Sequence, residues 1–294
     1  NRKFNVKLSA EACNNVILLP GQEFSYNNTT GSRTPEKGYK NAPTYQAGKS
    51  VDDIGGGICQ TSSTIYYAVL HTNLKIVERR AHRFNTGYVP EGMDATVYYG
   101  QTDFRFENST DYPIKIVTSS YDQGGKRKLN VKIYGTNVDG VRAEPKSTVY
   151  ETVTPTTQYK ADESIPRGTT KVDSKQNPYT GKSAQTYRYV YDRDGKLLEK
   201  QDMGKSVYKM RPKTILYNPA DGDPATWPNG VPPVPEVPPA ETVPETPAEN
   251  AGAETPLEDP GTEAPAESGG GQELPPAEEP PAQDLTVDDP AQAV

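Results

Sequence analysis

Gly55-Gly56-Gly57-Ile58-Cys59-Gln60-Thr61-Ser62-Ser63-Thr64-Ile65-Tyr66-Tyr67-Ala68-Val69-Leu70 is the stretch on which the reading of this chain turns. Three glycines permit positive φ and a close approach of backbone to whatever lies opposite. Behind them Ser62, Ile65/Tyr66 and Val69/Leu70 fall on one helical stripe. The expectation is a glycine loop feeding a helix, with Cys59 in the first turn. Unpaired N–H groups and the helix dipole favour negative charge there, so a thiolate forms most easily at that point. Gly55, Gly56, Gly57, Gln60, Thr61 and Ser62 are the candidate binding residues around it.

The charge is unevenly spread over the 294 residues, whose 32 basic and 39 acidic side chains give a net charge of −7. Lys213 is the last basic residue, and 17 of the acidic ones follow it, which leaves 22 against 32 in residues 1–213, a net of +10. A basic body with an acidic tail favours anionic polymers as partners. Nothing resembling a nucleic-acid module accompanies the charge, so anionic wall polymer is the specific expectation. No apolar run is long enough for a membrane span. The sequence starts at Asn1 with no signal-like segment, so an export signal or anchor is expected upstream. Two cysteines, Cys13 and Cys59, define no disulfide framework, although a single bridge between them is an alternative.

The segment Gly55–Leu70, with Leu19-Pro20-Gly21-Gln22-Glu23-Phe24-Ser25-Tyr26, Lys37-Gly38-Tyr39 and Asp94-Ala95-Thr96-Val97-Tyr98-Tyr99-Gly100, resembles the VanW family of bacterial envelope proteins. The resemblance covers about residues 1–136 and implies an extracellular or envelope location. It implies no settled activity: the family is named from glycopeptide-resistance gene clusters. Members often carry two histidines where this chain has Arg80 and His82.

Taken in order, residues 1–18 read as a short helix capped by Asn5, with Leu8, Ala12 and Val16 on one stripe. Leu19-Pro20-Gly21 stops it, Gln22–Tyr26 alternates as a strand, and Asn27–Lys40 is a polar loop. After the central helix, strands are expected at Leu74–Val77, Ala95–Tyr99, Phe104–Phe106 and Tyr112–Thr118. The last of these pairs with Leu129–Tyr134 across Asp122-Gln123-Gly124-Gly125. The fold class expected is α+β, short helices packed on antiparallel sheet. Residues 143–217 change to Thr/Val/Tyr-rich runs broken by turns, such as Thr148–Pro155 and Thr186–Tyr191 before Asp192-Arg193-Asp194-Gly195. They look like a G-five domain, a small all-β extracellular module. Residues 218–294, rich in Pro, Ala and Glu, read as a disordered acidic tail. Trp227, the only tryptophan, either docks the start of that tail or stands exposed.

Three chemistries compete. Cys59 as nucleophile, His82 as base and Asp94 or Asp111 as its orienter would make a cysteine-dependent acyl transferase or amidase acting on peptidoglycan peptides. Non-enzymatic binding of peptidoglycan or associated wall polymers, linked through the family to glycopeptide resistance, is the favoured reading; adhesion through residues 143–217 is the third. His71, at the helix end, reads as a cap. No zinc-ligand spacing is present and no P-loop lysine follows the glycines, so neither metal nor cofactor is expected.

Overall fold

In the computed structural model, residues 1–46 and 49–234 are described, and they belong to one compact unit. The chain begins with α1 (Arg2–Cys13), β1 (Val16–Leu18), β2 (Glu23–Ser25), the short α2 (Tyr26–Thr30) and a hairpin of β3 (Asn41–Gln46) with β4 (Lys49–Ile54). Then come α3 (Cys59–Leu70), β5 (Lys75–Glu78), β6 (Arg105–Glu107) and a hairpin of β7 (Ile114–Gln123) with β8 (Lys126–Tyr134). The sheets are antiparallel, in the orders β2-β6-β5 and β1-β7-β8. The expected α+β domain is therefore present.

Its core is built on α3. Ile65, Tyr66, Val69 and Leu70 are fully buried against Phe24, Phe104, Phe106, Ile114 and Ile116. Each such side chain contributes about 1.5–3 kcal/mol of transfer free energy, which is why the apolar half of the helix sits inside. The β7–β8 hairpin turns at Gly124 and Gly125, both with positive φ as a two-residue I′ turn requires. Its Val131 and Ile133 close the core from the other side.

Three local expectations fail, each for a physical reason. Asn5 does not cap α1. The cap position belongs to Asn1, and Asn5 lies one turn inside, fully buried, where it donates to Lys40 O (2.8 Å) and Gly56 O (3.0 Å) and accepts from Lys40 N (2.9 Å). It clamps the glycine loop to the helix, and the buried stripe becomes Asn5, Val6, Ser9, Ala10 and Cys13, with Ala12 exposed. Residues 27–40 hold α2 and a 3-10 turn at Pro35–Lys37, because Ser25 caps α2 by accepting from Asn28 N. Ala95–Tyr99 makes only an isolated bridge, Tyr98 with Thr102. It runs instead along α3, held where Ala95 O accepts from the hydroxyls of Ser62 (2.7 Å) and Ser63 (3.2 Å).

The following segment is all β: β9 (Arg142–Val153), β10 (Thr157–Ala161), β11 (Thr170–Val172), β12 (Gly181–Tyr191), β13 (Leu197–Tyr208) and β14 (Lys213–Tyr217), in two sheets ordered β13-β12-β9 and β10-β14-β11. Alternation along β12 puts Ala184, Thr186, Arg188 and Val190 on a buried face. That face packs on the first domain, where the buried Arg188 guanidinium donates to Thr72 O (2.8 Å) and Leu74 O (2.9 Å), in the turn just past the end of α3. Trp227 is buried edge-on against Tyr159 and Tyr217, with its indole N–H on Asp221 O. The ordered chain thus runs past the expected boundary at 218, and the disordered tail expected beyond lies from 235 outside the described residues.

Asn5→Ala removes three hydrogen bonds and leaves Lys40 N and Gly56 O without them. It is expected to cost about 2–4 kcal/mol of stability, read as a lower urea midpoint at unchanged m.

Candidate active site

Glycine geometry explains how Cys59 is presented. Gly55 and Gly57 adopt φ of +84° and +105°, and a Cβ on Gly56 would stand 2.2 Å from Ala42 O, so the loop admits no side chain at these points. The Gly56 carbonyl is turned to Asn5 and the Ile58 carbonyl to the Tyr26 hydroxyl (3.1 Å). In a trans peptide the N–H points the opposite way, so the Gly57 and Cys59 amides face away from both clamps and meet no acceptor among the described residues. Gly55 and Gly56 amides are spent on Lys40 O and Asp53 O.

Cys59 is half-buried and free, at 3.6 Å from Val97 O and 3.9 Å from Thr96 Oγ1. Its strongest favourable partner is His82. Burial pushes the thiol up, but the imidazole facing it, with lesser help from Val97 and Thr96, more than offsets this and lowers the Cys59 pKa below its ordinary value. His82 responds in the opposite sense. Burial pulls it down, yet the Asp94 carboxylate and the Cys59 sulfur bring it up to about 9. His82 Nε2 is buried and meets no partner in hydrogen-bonding geometry among the described residues.

On the far side of the ring, His82 Nδ1 donates to Asp94 Oδ2 at 2.5 Å, and the His82 backbone N–H donates to the same oxygen at 2.8 Å. Asp94 is buried. Burial alone would raise its pKa, but His82, Arg79 and Tyr208 together hold it down to about 2. The structure thus places Asp94 against His82 and gives His82 and Cys59 a mutual electrostatic influence, while Asp111 stands exposed in the turn between β6 and β7.

The other expected site residues have structural duties. Thr61 is fully buried against Ser9 (2.7 Å), and Ser62 is spent on Ala95 O, so neither faces a ligand. Gln60 is half-buried beside Cys59, with its backbone carbonyl taken by Thr64. His71 is the C-cap of α3 and contacts Tyr67 O at 2.9 Å, away from the thiol. Cys13 is a free, fully buried core residue whose thiol burial pushes up to about 12, so no bridge joins it to Cys59. Among the described residues no cluster of three or more His, Cys, Asp and Glu is arranged to hold a metal, and no helix is long and apolar enough to cross a membrane.

Four residues absent from the sequence reading complete the surroundings. Arg79 binds Asp94 through Oδ1 (3.0 Å) and the backbone carbonyl (2.6 Å), and Tyr208 donates to Oδ1 at 2.5 Å. Tyr88 packs edge-on to the His82 ring and accepts from Arg2, whose stem lies against Gly57. Spacing could not have revealed these; Tyr208 lies 114 residues from Asp94.

Iodoacetamide alkylation of Cys59, followed by peptide mapping, is expected to reach its plateau with a midpoint below the ordinary value of about 8.5. In Asp94→Asn the imidazolium loses its counter-charge, and the midpoint moves up. The same shifts set a stability window. The His82 contribution is complete below its unfolded value of about 6.5 and is lost as pH rises through about 9. That of Asp94 is complete above its unfolded value of about 3.9 and is lost as pH falls through about 2.

Residues 1–134 match the family model described as VanW like protein, and residues 144–218 match the G5 domain model. Over 138 residues the chain is 43% identical to the uncharacterized protein YoaR of Bacillus subtilis (strain 168), spanning 47% of this chain and 44% of that protein. Over 128 residues it is 32% identical to the vancomycin B-type resistance protein VanW of Enterococcus faecalis (strain ATCC 700802 / V583), spanning 42% of this chain and 46% of that protein. The chain thus spans less than half the length of either curated relative. Among solved structures, an IgA1 protease G5 domain aligns with 13% identity and a TM-score of 0.21, over 26% of this chain and 88% of that one. The HP0197 G5 domain aligns with 18% identity and a TM-score of 0.16, over 26% and 97%. Likeness this low adds nothing to the argument.

Proposed function

Taking residues 1–134 as a VanW-like domain and residues 144–218 as a G5 domain of a cell-envelope protein, we propose that this protein is a cysteine-dependent acyl-transfer enzyme acting on peptide amides of the cell wall. The observation that carries this is the line Cys59–His82–Asp94, in which a lowered thiol faces an imidazole whose other nitrogen is held by a buried carboxylate. That arrangement raises the enzymatic reading above non-enzymatic binding, which the sequence alone favours. Neither reading bears on glycopeptide resistance, whose name belongs to a relative.

The step follows from the charges. The Cys59 thiolate attacks the carbonyl carbon of an amide, forming the C–S bond and pushing an electron pair onto oxygen. The Gly57 and Cys59 N–H groups, which have no acceptor among the described residues, are the donors available to that oxyanion. When the C–N bond breaks, the His82 imidazolium protonates the departing amine. The thioester is then attacked by water or by a second amine, with neutral His82 taking the proton, and yields a carboxylate or a new amide. Asp94 stays ionised throughout and holds the ring in the tautomer that aims Nε2 at sulfur.

Binding of wall polymer is compatible with this chemistry and has an observation of its own. On the outer face of β12, Lys200 lies over Tyr187 (3.9 Å), Lys146 over Tyr189 (5.2 Å) and Arg142 over Tyr191 (4.6 Å). These rungs combine positive charge with flat apolar rings, a surface suited to anionic or sugar-bearing polymers. Retention on isolated sacculi would then fall as salt rises.

Purified protein incubated with muropeptides or sacculi is expected to change the peptide pattern seen by mass spectrometry and to form a mass adduct on Cys59. Cys59→Ala abolishes both. His82→Gln lowers the rate by about 10²–10⁴, the usual worth of a positioned base. Identical muropeptide profiles for wild type and Cys59→Ala would end the enzymatic reading.

A further inference from the structure

We propose that the second domain is a working part of the candidate site: Tyr208, at the end of β13, is a positioning residue that shares the charge of Asp94 and so sets how tightly His82 holds its proton. The inference deepens the function proposed above and rests on the same site.

A set of hydrogen bonds crosses from the second domain to the short stretch Arg79–Asp94. The Tyr208 hydroxyl donates to Asp94 Oδ1 (2.5 Å) and accepts from Gly92 N (2.7 Å), so its proton and its lone pair are both committed. Ser206 Oγ accepts from Arg79 Nη1 (2.9 Å), and Thr186 Oγ1 donates to Gly92 O (3.2 Å). The Lys209 N–H donates to Arg83 O (2.7 Å), one residue past His82. The approach is so close that a Cβ on Gly92 would stand 2.3 Å from Thr186 Oγ1. A spacer docked for stability alone would meet the outside of the first domain. Here it reaches the carboxylate directly behind the imidazole.

Position and charge can be separated. Without the tyrosine hydroxyl, Asp94 would still be held at Oδ1 by Arg79, at its own carbonyl by Arg79 Nε, and at Oδ2 by two donors from His82. Its place is therefore over-determined, and the loss would fall on charge. A carboxylate that accepts fewer hydrogen bonds is a stronger partner for those that remain. Asp94 would then bind the imidazolium more tightly, and His82 would give up its proton less readily. Tyr208 thus keeps the base able to cycle between its two protonation states.

The chain has only two histidines, His71 and His82. Titration of ring-labelled full-length protein by NMR therefore follows His82 directly, with His71 as internal reference and no substrate needed. In Tyr208→Phe the His82 midpoint is expected to rise by about half a unit or more, while His71 does not move. Where Tyr208→Phe fails to fold, 3-fluorotyrosine placed at 208 alone keeps the ring and donates more strongly, and the His82 midpoint is expected to fall. A His82 midpoint that is unchanged, or that moves opposite to these signs, overturns the inference. Because the readout needs no turnover, a shifted midpoint without any muropeptide chemistry would sink the enzyme and leave the coupling standing; chemistry with an unshifted midpoint would do the reverse.

Discussion

The buried carboxylate of Asp94 is the constraint around which the rest is arranged. It is 4% exposed in its side chain, and Arg79 beside it only 7%. Ions removed from water to that extent are tolerated only with full pairing and hydrogen bonding. Asp94 has this: Arg79 and Tyr208 on one oxygen, the His82 backbone and ring on the other. Those partners come from two segments far apart in sequence. The site therefore depends on the two domains folding onto each other, and the latch made by Arg188 on the end of α3 belongs to the same requirement.

Counting the charges explains the state of the thiol. Arg79 neutralises Asp94, which leaves the imidazolium of His82 as an excess positive charge in a largely buried place. A neutral histidine would remove the excess, but Asp94 favours the protonated ring. The remaining route is a negative charge on the other side, and Cys59 is the group there. The protonated ring favours negative charge on that sulfur, and this lowers the Cys59 pKa. This is why burial, which raises Cys13 to about 12, fails to raise Cys59. Two thiols in one core differ by what faces them.

How much of this the sequence discloses depends on where each residue's partners lie. The glycine loop and the helix behind it are legible because local pattern points to them, whereas no spacing ties His82 to Cys59 or separates Asp94 from Asp111 as its neighbour. The β7–β8 hairpin is legible because Gly124-Gly125 admits one kind of turn. Asn5 was misread because asparagine is among the best capping residues, and only the fold shows that a backbone clamp is needed one turn later. The β3–β4 hairpin, Asn41 to Ile54, carries no strong alternation to betray it. Arg79 looks like surface charge in the run Glu78-Arg79-Arg80, and Tyr208 is one of 19 tyrosines. Both acquire meaning only when the second domain closes on the first.

In the acyl transfer proposed above, the glycine loop and the carboxylate answer different needs. Asn5 and Tyr26 hold the loop carbonyls away from the thiol side, which fixes two amides before any substrate arrives. Donors fixed in advance cost no reorganisation when charge develops on a substrate oxygen. Asp94 fixes the imidazole in the same sense, so that the nucleophile's counter-charge is also in place beforehand. Each device buries polar groups that would be destabilising alone, and each is anchored in a different element: α1 for the loop, β13 for the carboxylate. Residues 1–13 and residues 197–208 thus meet functionally at Cys59, although neither contains a candidate catalytic group. A thiol placed on the first turn of a helix would be only slightly acidified by the dipole. The two anchored supports add to that modest effect, with His82 held by Asp94 as the group that lowers the thiol, and they tie the site to the integrity of both domains.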